Sequence, residues 1–405
     1  MEINKKLYGT FQMNGNIPVH SWYPYLAGYS AHFVNEELRK YKIYNGHKIL
    51  DPFLGVGTTA VVAKSNGINS IGVEVNPFAA FVAKTKLFWE FDSSKLNRSI
   101  SSTLKRIDED EGVSYPHNYP KVIEEAFSPK ILNKLLKIKK HIFRLEYENA
   151  RNLLLLVLVR TLKPVSNCKN FSPYFQLKES KLINAPVYEL FKQNVTSMLN
   201  DLNSCPKVKA FSKVYTRDAR DLSFVEDESI CCAITSPPYL NNWDYSYITR
   251  VELYFLEYYN SIEEISKDLK EKLIKSSGFV LNNVSRKIKP ELGDAKLNGK
   301  IRELQERLSI ASSNRVLRYD LMATAYFNDM HQVLKEVHRT LKPQGGISLV
   351  VGDSCLYGVH VPTDKIIAKI GESIGFKPKI EILRERRATQ HTYKLVESNV
   401  RLIKH

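Results

Sequence analysis

The sequence predicts an α/β protein: a doubly wound, mainly parallel sheet that carries helical insertions. Three observations point there. Short apolar runs close on turn or acidic residues at "KILDPFLGVGTT", "NSIGVEVNP", "AFSKVYTRDARDL", "SICCAITSPPY" and "ISLVVGDS". Helical patterns separate them, and strands alternating with helices close most economically into a parallel sheet. The chain has 405 residues, 43% of them hydrophobic, enough for one large domain with insertions or for two domains.

The elements follow in order. Residues 48–64 read as a short strand, a glycine turn and the opening of a helix, and "NSIGVEVNP" as a second strand ending on Glu74. With the segment before them they form a first unit, 1–85. Residues 86–208 show few strand signals. There "SPKILNKLLKIKKHIFRLEYENARNLLLLVLVRTLKP" spaces its apolar residues as helices do, which predicts a helical insertion. Strand texture returns in 209–250, and a second helical, basic stretch occupies 251–322. Residues 323–405 complete the sheet. They hold the helix in "YFNDMHQVLKEVHRTLKPQGG", the strand "ISLVVGDS", the helix "PTDKIIAKIGESIGF", and two last strands near "PKIEILRERR" and "ESNVRLIKH".

Composition narrows the function. The five cysteines show no C-x-x-C pairing, so neither a zinc site nor a disulfide framework is expected, and the compartment reads as reducing. The longest apolar run, "LLLLVLV" at 153–159, is too short to span a bilayer, and "MEINKKLYGTFQMNG" has no apolar leader core. The expectation is a soluble intracellular protein. Fifty-nine Lys and Arg against 43 Asp and Glu give a net charge of +16, a field suited to a polyanion such as nucleic acid. Between 121 and 180 twelve cations face five acids, and between 261 and 320 thirteen face nine. Charge favours the first insertion for backbone contact. Position favours the second for reading bases.

Three motifs carry chemistry. In "DPFLGVGTT", Gly55 and Gly57 allow a sharp turn after a strand, and the following helix offers free N–H groups. Thr58 and Thr59 stand where a dinucleotide fingerprint has its third glycine, and there is no Gly-Lys-Ser/Thr of a phosphate loop. Glu74 lies 17 residues beyond Gly57, where an acid can bond both hydroxyls of a ribose. Together these suggest an adenosine without a phosphate chain. The third motif, "TSPPY", sets Ser236, Pro237, Pro238 and Tyr239 directly behind an apolar strand.

In that order, "DPFLGVGTT", "GVEVNP" and "TSPPY" resemble the cofactor loop, ribose acid and catalytic turn of the amino-group DNA methyltransferases. The Ser-Pro-Pro-Tyr form resembles the branch that methylates N4 of cytosine. "HSWYPYLAGYSAHFVNEEL" at 20–38 is similar to the segment over the cofactor's methionine end, Asp218 in "RDARDL" matches the acid that contacts adenine, and "LKPQGGISLVVGDS" and "RERR…ESNVRLIKH" match later sheet elements. The resemblance covers about half the chain, everything outside the two insertions.

It implies a Rossmann-like, seven-stranded methyltransferase sheet and S-adenosylmethionine as cofactor. It places Tyr25, Asp51, Phe53, Gly55, Gly57, Thr58, Thr59, Glu74, Val75, Asn76, Asp218 and Ala219 around that cofactor. It implies double-stranded DNA as substrate, a separately encoded restriction endonuclease as partner, a restriction-modification or related defence role, and a cytoplasmic, nucleoid-associated location. In the family one strand–helix unit separates the two acids. Here 144 positions separate Glu74 from Asp218, because the first insertion falls between them.

The chemistry agrees independently. An exocyclic amine is a poor nucleophile because its lone pair is delocalised into the ring, so acceptors at its N–H groups must draw the nitrogen toward tetrahedral geometry. The Ser236 hydroxyl and the Pro237 carbonyl are such acceptors, and the prolines fix them in place. Tyr239 would stack on a base swung out of the duplex. Asn242, Trp243 and Tyr245 are candidates for the base pocket, while Asp353 reads as structural or cofactor-proximal. Cytosine C5 chemistry would require a nucleophilic cysteine, and Cys231 and Cys232 sit inside an apolar strand instead. N6-adenine methylation, RNA base methylation and a catalytically silent DNA-binding protein stay open as alternatives.

Overall fold

The computed structural model describes the chain apart from residues 1–4, 27, 113, 115–116, 172–174, 181, 241–243, 278–287, 313–316 and 388–393. Seven strands form one sheet: β1 (Lys48–Asp51), β2 (Asn69–Val73), β3 (Ser212–Tyr215), β4 (Ile230–Thr235), β5 (Leu341–Gly352), β6 (Phe376–Arg387) and β7 (Lys394–Lys404). Their order is β3-β2-β1-β4-β5-β7-β6. The first five pair in parallel, and β7 runs antiparallel between β5 and β6. Compared with the doubly wound order 3-2-1-4-5-6, one reversed strand has been slotted in beside the last.

Strand order reverses between β1 and β4, which pair through Ile49↔Cys232 and Leu50↔Ala233. At such a switch point the loops leaving the two strands part to opposite faces and open a crevice at their carboxyl ends. "DPFLGVGTT" leaves β1 there, and "TSPPY" leaves β4. Both faces of these strands are covered, so alternate residues enter different cores. Ile49, Cys232 and Ile234 pack with α1 (Ala31–Lys40) and α2 (Thr58–Ser65), while Leu50 and Ala233 pack on the opposite side. Burial on both sides is why the strands read as unbroken apolar runs.

After α3 (Pro77–Lys86), the first insertion contains α4 (Ser93–Glu109), α5 (Lys121–Ala126), α6 (Pro129–Phe143), α7 (Glu148–Leu162) and α8 (Val187–Ser204). It also holds a two-stranded ribbon, Cys168–Asn170 with Gln176–Leu177, which the helical texture of the sequence did not signal. Helix α7 is its axle. Every residue from Leu153 to Val159 is buried, so "LLLLVLV" is apolar because helices surround it. At roughly 1.5–3 kcal/mol for each fully buried Leu or Val, this run is a main source of the insertion's cohesion.

The second insertion begins with α9 (Arg250–Phe255) and docks on the first. Phe255 stacks on Tyr119 with ring centroids 6.0 Å apart, and the buried Lys139 ammonium bonds the Phe255 carbonyl at 2.6 Å and Glu257 at 2.7 Å. It continues through α10 (Ile262–Lys272) and α11 (Ala295–Ala311). Helix α12 (Tyr319–Thr340) starts four residues before the expected boundary at 323, and α13 (Thr363–Ile374) follows β5. Among the described residues no helix is long and apolar enough to cross a membrane.

Candidate active site

At the carboxyl ends of β1, β2, β3 and β4 lies a cleft of about 250 Å³. Fourteen of the expected residues line it: Tyr25, Phe53, Gly55, Thr58, Glu74, Val75, Asn76, Asp218, Ala219, Ser236, Pro237, Pro238, Tyr239 and Tyr245. Asn242 and Trp243 lie outside the described residues.

Three residues expected to touch a cofactor do not line the cleft, and each has a structural task instead. Asp51 is buried, accepting the Tyr29 hydroxyl at 2.8 Å, the Thr235 hydroxyl at 2.6 Å and the Phe53 N–H at 3.0 Å. It ties the end of β1 to the end of β4, and burial raises its pKa. Thr59 faces inward to the Tyr29 hydroxyl and the Ile234 carbonyl. Gly57, at φ 93°, starts α2 against α3, and a Cβ there would lie 3.1 Å from that of Ala83. Its bareness serves helix packing. Gly55, at φ 53°, is the glycine that faces the cleft, with the Tyr25 ring 3.2 Å from where its Cβ would be.

Glu74 stands at the end of β2. Its two carboxylate oxygens accept the N–H groups of Gly55 and Asn76, each at 2.8 Å, which fixes the carboxylate and leaves lone pairs toward the cleft. Desolvation pushes its pKa up to about 7 against those two bonds. Asn76 caps α3 through the N–H groups of Phe78 and Ala79 and donates to Thr249 at 2.8 Å, linking this end to the segment after the Ser-Pro-Pro-Tyr turn. Asp218 is gripped by Arg220 at 2.6–3.1 Å, and Arg220 is held by Asp329 of α12 at 2.8 Å. Lys272, Leu273 and Ile274 of the second insertion form the wall beside it.

At the other end, Ser236 donates its hydroxyl proton to the Val350 carbonyl at 3.1 Å. The proton is thereby committed to β5, and the oxygen's lone pairs remain to accept. The Tyr239 N–H donates to the Tyr245 hydroxyl at 3.1 Å, so Tyr245 braces the turn as well as lining the cleft. The Tyr239 hydroxyl donates to Glu397 at 3.1 Å. Glu397 is buried and paired with Arg384 at 2.7 Å, and burial, helped by the Glu397 carboxylate, raises the Tyr239 phenol well above its usual pKa. Arg386 lies 5.7 Å from the Tyr239 ring centroid and donates to the Asp353 carbonyl at 2.8 Å. Asp353 itself is buried against His360 and is structural.

Sequence reasoning missed Tyr29, Arg384, Arg386 and Glu397. One signal was available: two arginines two apart in "RERR" lie on one face of a strand. Cys232 is in the core as expected, and Cys231 is half-buried in the same strand. Among the described residues no group of His, Cys, Asp and Glu is arranged to hold a metal ion.

The N6/N4 methyltransferase family model, described as "DNA methylase", matches residues 36–85. The Type II methyltransferase M.BsoBI of Geobacillus stearothermophilus is 26% identical over 95% of this chain and 84% of its own length. M.AvaI of Nostoc sp. is 24% identical over 91% and 81%. Among solved structures, a SAM-dependent methyltransferase of Methanosarcina mazei aligns with 91% of this chain and 96% of its own at 11% identity and a TM-score of 0.32. The family model and the Type II relatives support the amino-group DNA methyltransferase family for this chain, with S-adenosylmethionine as the methyl donor.

Proposed function

We propose that the chain methylates the N4 amine of cytosine in double-stranded DNA, at a specific site and with a base flipped out of the duplex. One observation carries this reading: the Ser-Pro-Pro-Tyr turn faces the glycine turn and Glu74 across the β1–β4 switch point, with the Ser236 proton already given to Val350.

The residues at the cofactor end fit an adenosine. Glu74 offers a fixed acceptor for the ribose hydroxyls, Asp218 and Ala219 stand where the base would lie, and the Gly55 turn and Tyr25 close over the rest. When bound, S-adenosylmethionine supplies an electrophilic sulfonium methyl. Ser236 and the Pro237 carbonyl accept from the target amine and free its lone pair, acting as a preorganised electrostatic site. The Tyr239 ring holds the base in line, and proximity supplies much of the rate. With the methyl group supplied and the sulfur electron pair kept by bound S-adenosylmethionine, the proton shed by the amine would pass from the Ser236 and Pro237 acceptors to solvent.

For the rest of the DNA we assign backbone contact to α11. Lys296, Lys300, Arg302 and Arg307 are exposed there, without ion-pair partners among the described residues. The larger surplus of the first insertion is mostly engaged internally. Lys139 is buried against Glu257, Lys140 pairs with Asp110, and Lys134 and Lys137 lie over Tyr188.

The test is nucleoside mass spectrometry of plasmid DNA from cells expressing the protein. N4-methylcytosine is the expected product. N6-methyladenine would move the assignment to the adenine branch, and methylated RNA with unmodified DNA would overturn the substrate class.

A further inference from the structure

Arg386 has a donor to spare. Its terminal nitrogen is held by the Asp353 carbonyl, while its Nε is buried with no hydrogen-bond partner among the described residues. It lines the same cleft as Ser236, Pro237 and Tyr239, beside the ring on which a flipped base would stack. Two backbone features put it there. The β6–β7 ladder shifts register between Ile382 and Arg384, and such a bulge re-aims the side chains beyond it. Gly352, on β5 beyond β7, is bare where a Cβ would collide with the Arg386 guanidinium. The neighbouring Arg384 is ion-paired with Glu397 at 2.7 Å, whereas Arg386 has no carboxylate partner among the described residues, so its charge stays available to a ligand at this end.

We infer that Arg386 reads the N3 and O2 edge of the target cytosine, an inference that rests on the N4-cytosine reading above. Next to the amine, cytosine presents two adjacent acceptors, N3 and O2. Adenine presents one acceptor, N1, and then a C–H. Guanidinium N–H groups in fork geometry match two adjacent acceptors, and a flipped base is read along this edge. Donation to N3 and O2 draws density away from N4, so the contact serves base choice and capture, while Ser236 and Pro237 serve the chemical step.

The test uses duplexes carrying the site at which sequencing of methylated plasmid locates N4-methylcytosine. The target is either cytosine or 3-deazacytosine, which keeps the amine and O2 but replaces N3 with C–H. The wild-type protein should prefer cytosine at least tenfold in kcat/KM. In Arg386→Met that preference should shrink to less than threefold, with the loss on cytosine carried mostly by KM. Arg386→Lys should not restore it, because an ammonium keeps the charge and loses the fork. S-adenosylmethionine affinity should be the same in all three proteins.

A preference for cytosine that persists unchanged in Arg386→Met overturns the inference and leaves the N4 assignment standing. Equal use of both bases by the wild-type protein also overturns it, with no variant required should Arg386→Met fail to fold. A wild-type protein that makes no N4-methylcytosine sinks the N4 reading itself.

Discussion

The two ends of the cleft are built differently. At one end, the turn after β1 and the carboxylate closing β2 are joined by a bond spanning only 19 residues, between Gly55 and Glu74, while Asn76 and Arg220 bring in Thr249 and Asp329 from 173 and 109 residues away. The reacting end has its motif on β4 but its support far along the chain. Ser236 is oriented from 114 residues away by Val350, and Tyr239 is held from 158 residues away by Glu397. The glycine turn and its carboxylate are thus written close together in the chain, whereas the Ser-Pro-Pro-Tyr turn has its support from β5 and β7. Binding needs a backbone conformation and one carboxylate. Catalysis needs several groups held to fractions of an ångström, which takes a second shell.

The sharpest break between the ends should come at the turn. Ser236→Ala is expected to lower turnover by about 10²-fold while cofactor affinity holds, since the acceptor matters as charge develops on the amine. Tyr239→Ala should be worse, adding the loss of base stacking at about 1–3 kcal/mol. Tyr239→Phe keeps the ring, forfeits the Glu397 bond, and should retain activity within about tenfold, an estimate from the 1.4 kcal/mol that a tenfold change represents. Labelled-methyl transfer, with melting checked for each variant, decides this. Parent-rate methylation by both folded alanine variants would reduce the turn to a structural feature.

Next in size is the cofactor end. Glu74→Ala should weaken S-adenosylmethionine binding by about 1–3 kcal/mol, the usual cost of losing a charged acceptor, and calorimetry would measure it. The same residue gives a pH signature. With its pKa near 7, the carboxyl is protonated below that pH and cannot accept from both ribose hydroxyls. Affinity should therefore rise between pH 6 and 8, and Glu74→Gln should flatten the rise. A wild-type curve as flat as the variant's would separate Glu74 from the ribose.

Smaller again is the contrast between the two glycines. Gly57→Ala should cost about 1–2 kcal/mol of stability, from a side chain at positive φ pressed against Ala83, with cofactor affinity intact in the folded protein. Gly55→Ala should chiefly weaken cofactor binding, because its Cβ enters the cleft toward Tyr25. Thermal melts with and without cofactor distinguish the two, and equal behaviour would erase the distinction. The smallest effect is expected on α11. Each of Lys300→Ala and Arg307→Ala should flatten the slope of log DNA affinity on log salt by about one. An unchanged slope would return backbone contact to the first insertion.

Much of this protein was legible without coordinates because the relevant signals are local. A strand closing on a glycine turn, an acid at the end of the next strand, and a Ser-Pro-Pro-Tyr turn behind a third are each written within a dozen residues. Their order determined the fold class, and with it the expectation of which turns would meet at the cleft. Charge, by contrast, was legible only as a sum. The surplus of the first insertion could not reveal that Lys139 is buried and that Lys140 pairs with Asp110, because ion pairing depends on which helices meet.

The sequence by itself thus determined what is encoded in backbone preference over a few residues: alternation of strand and helix, the turns at strand ends, and the residue types placed on them. The tertiary structure alone decided that Asp51 and Thr59 face inward, that Gly57 packs against Ala83, and that Arg384, Arg386 and Glu397 line the cleft near Tyr239. The physical reason is register. A β-ladder can slide by one residue with little change in local propensity, and the slip sends every side chain to the other face. Only the packing of β7 between β5 and β6, with its shift beside Arg384, selects the alignment in which those three side chains meet Tyr239.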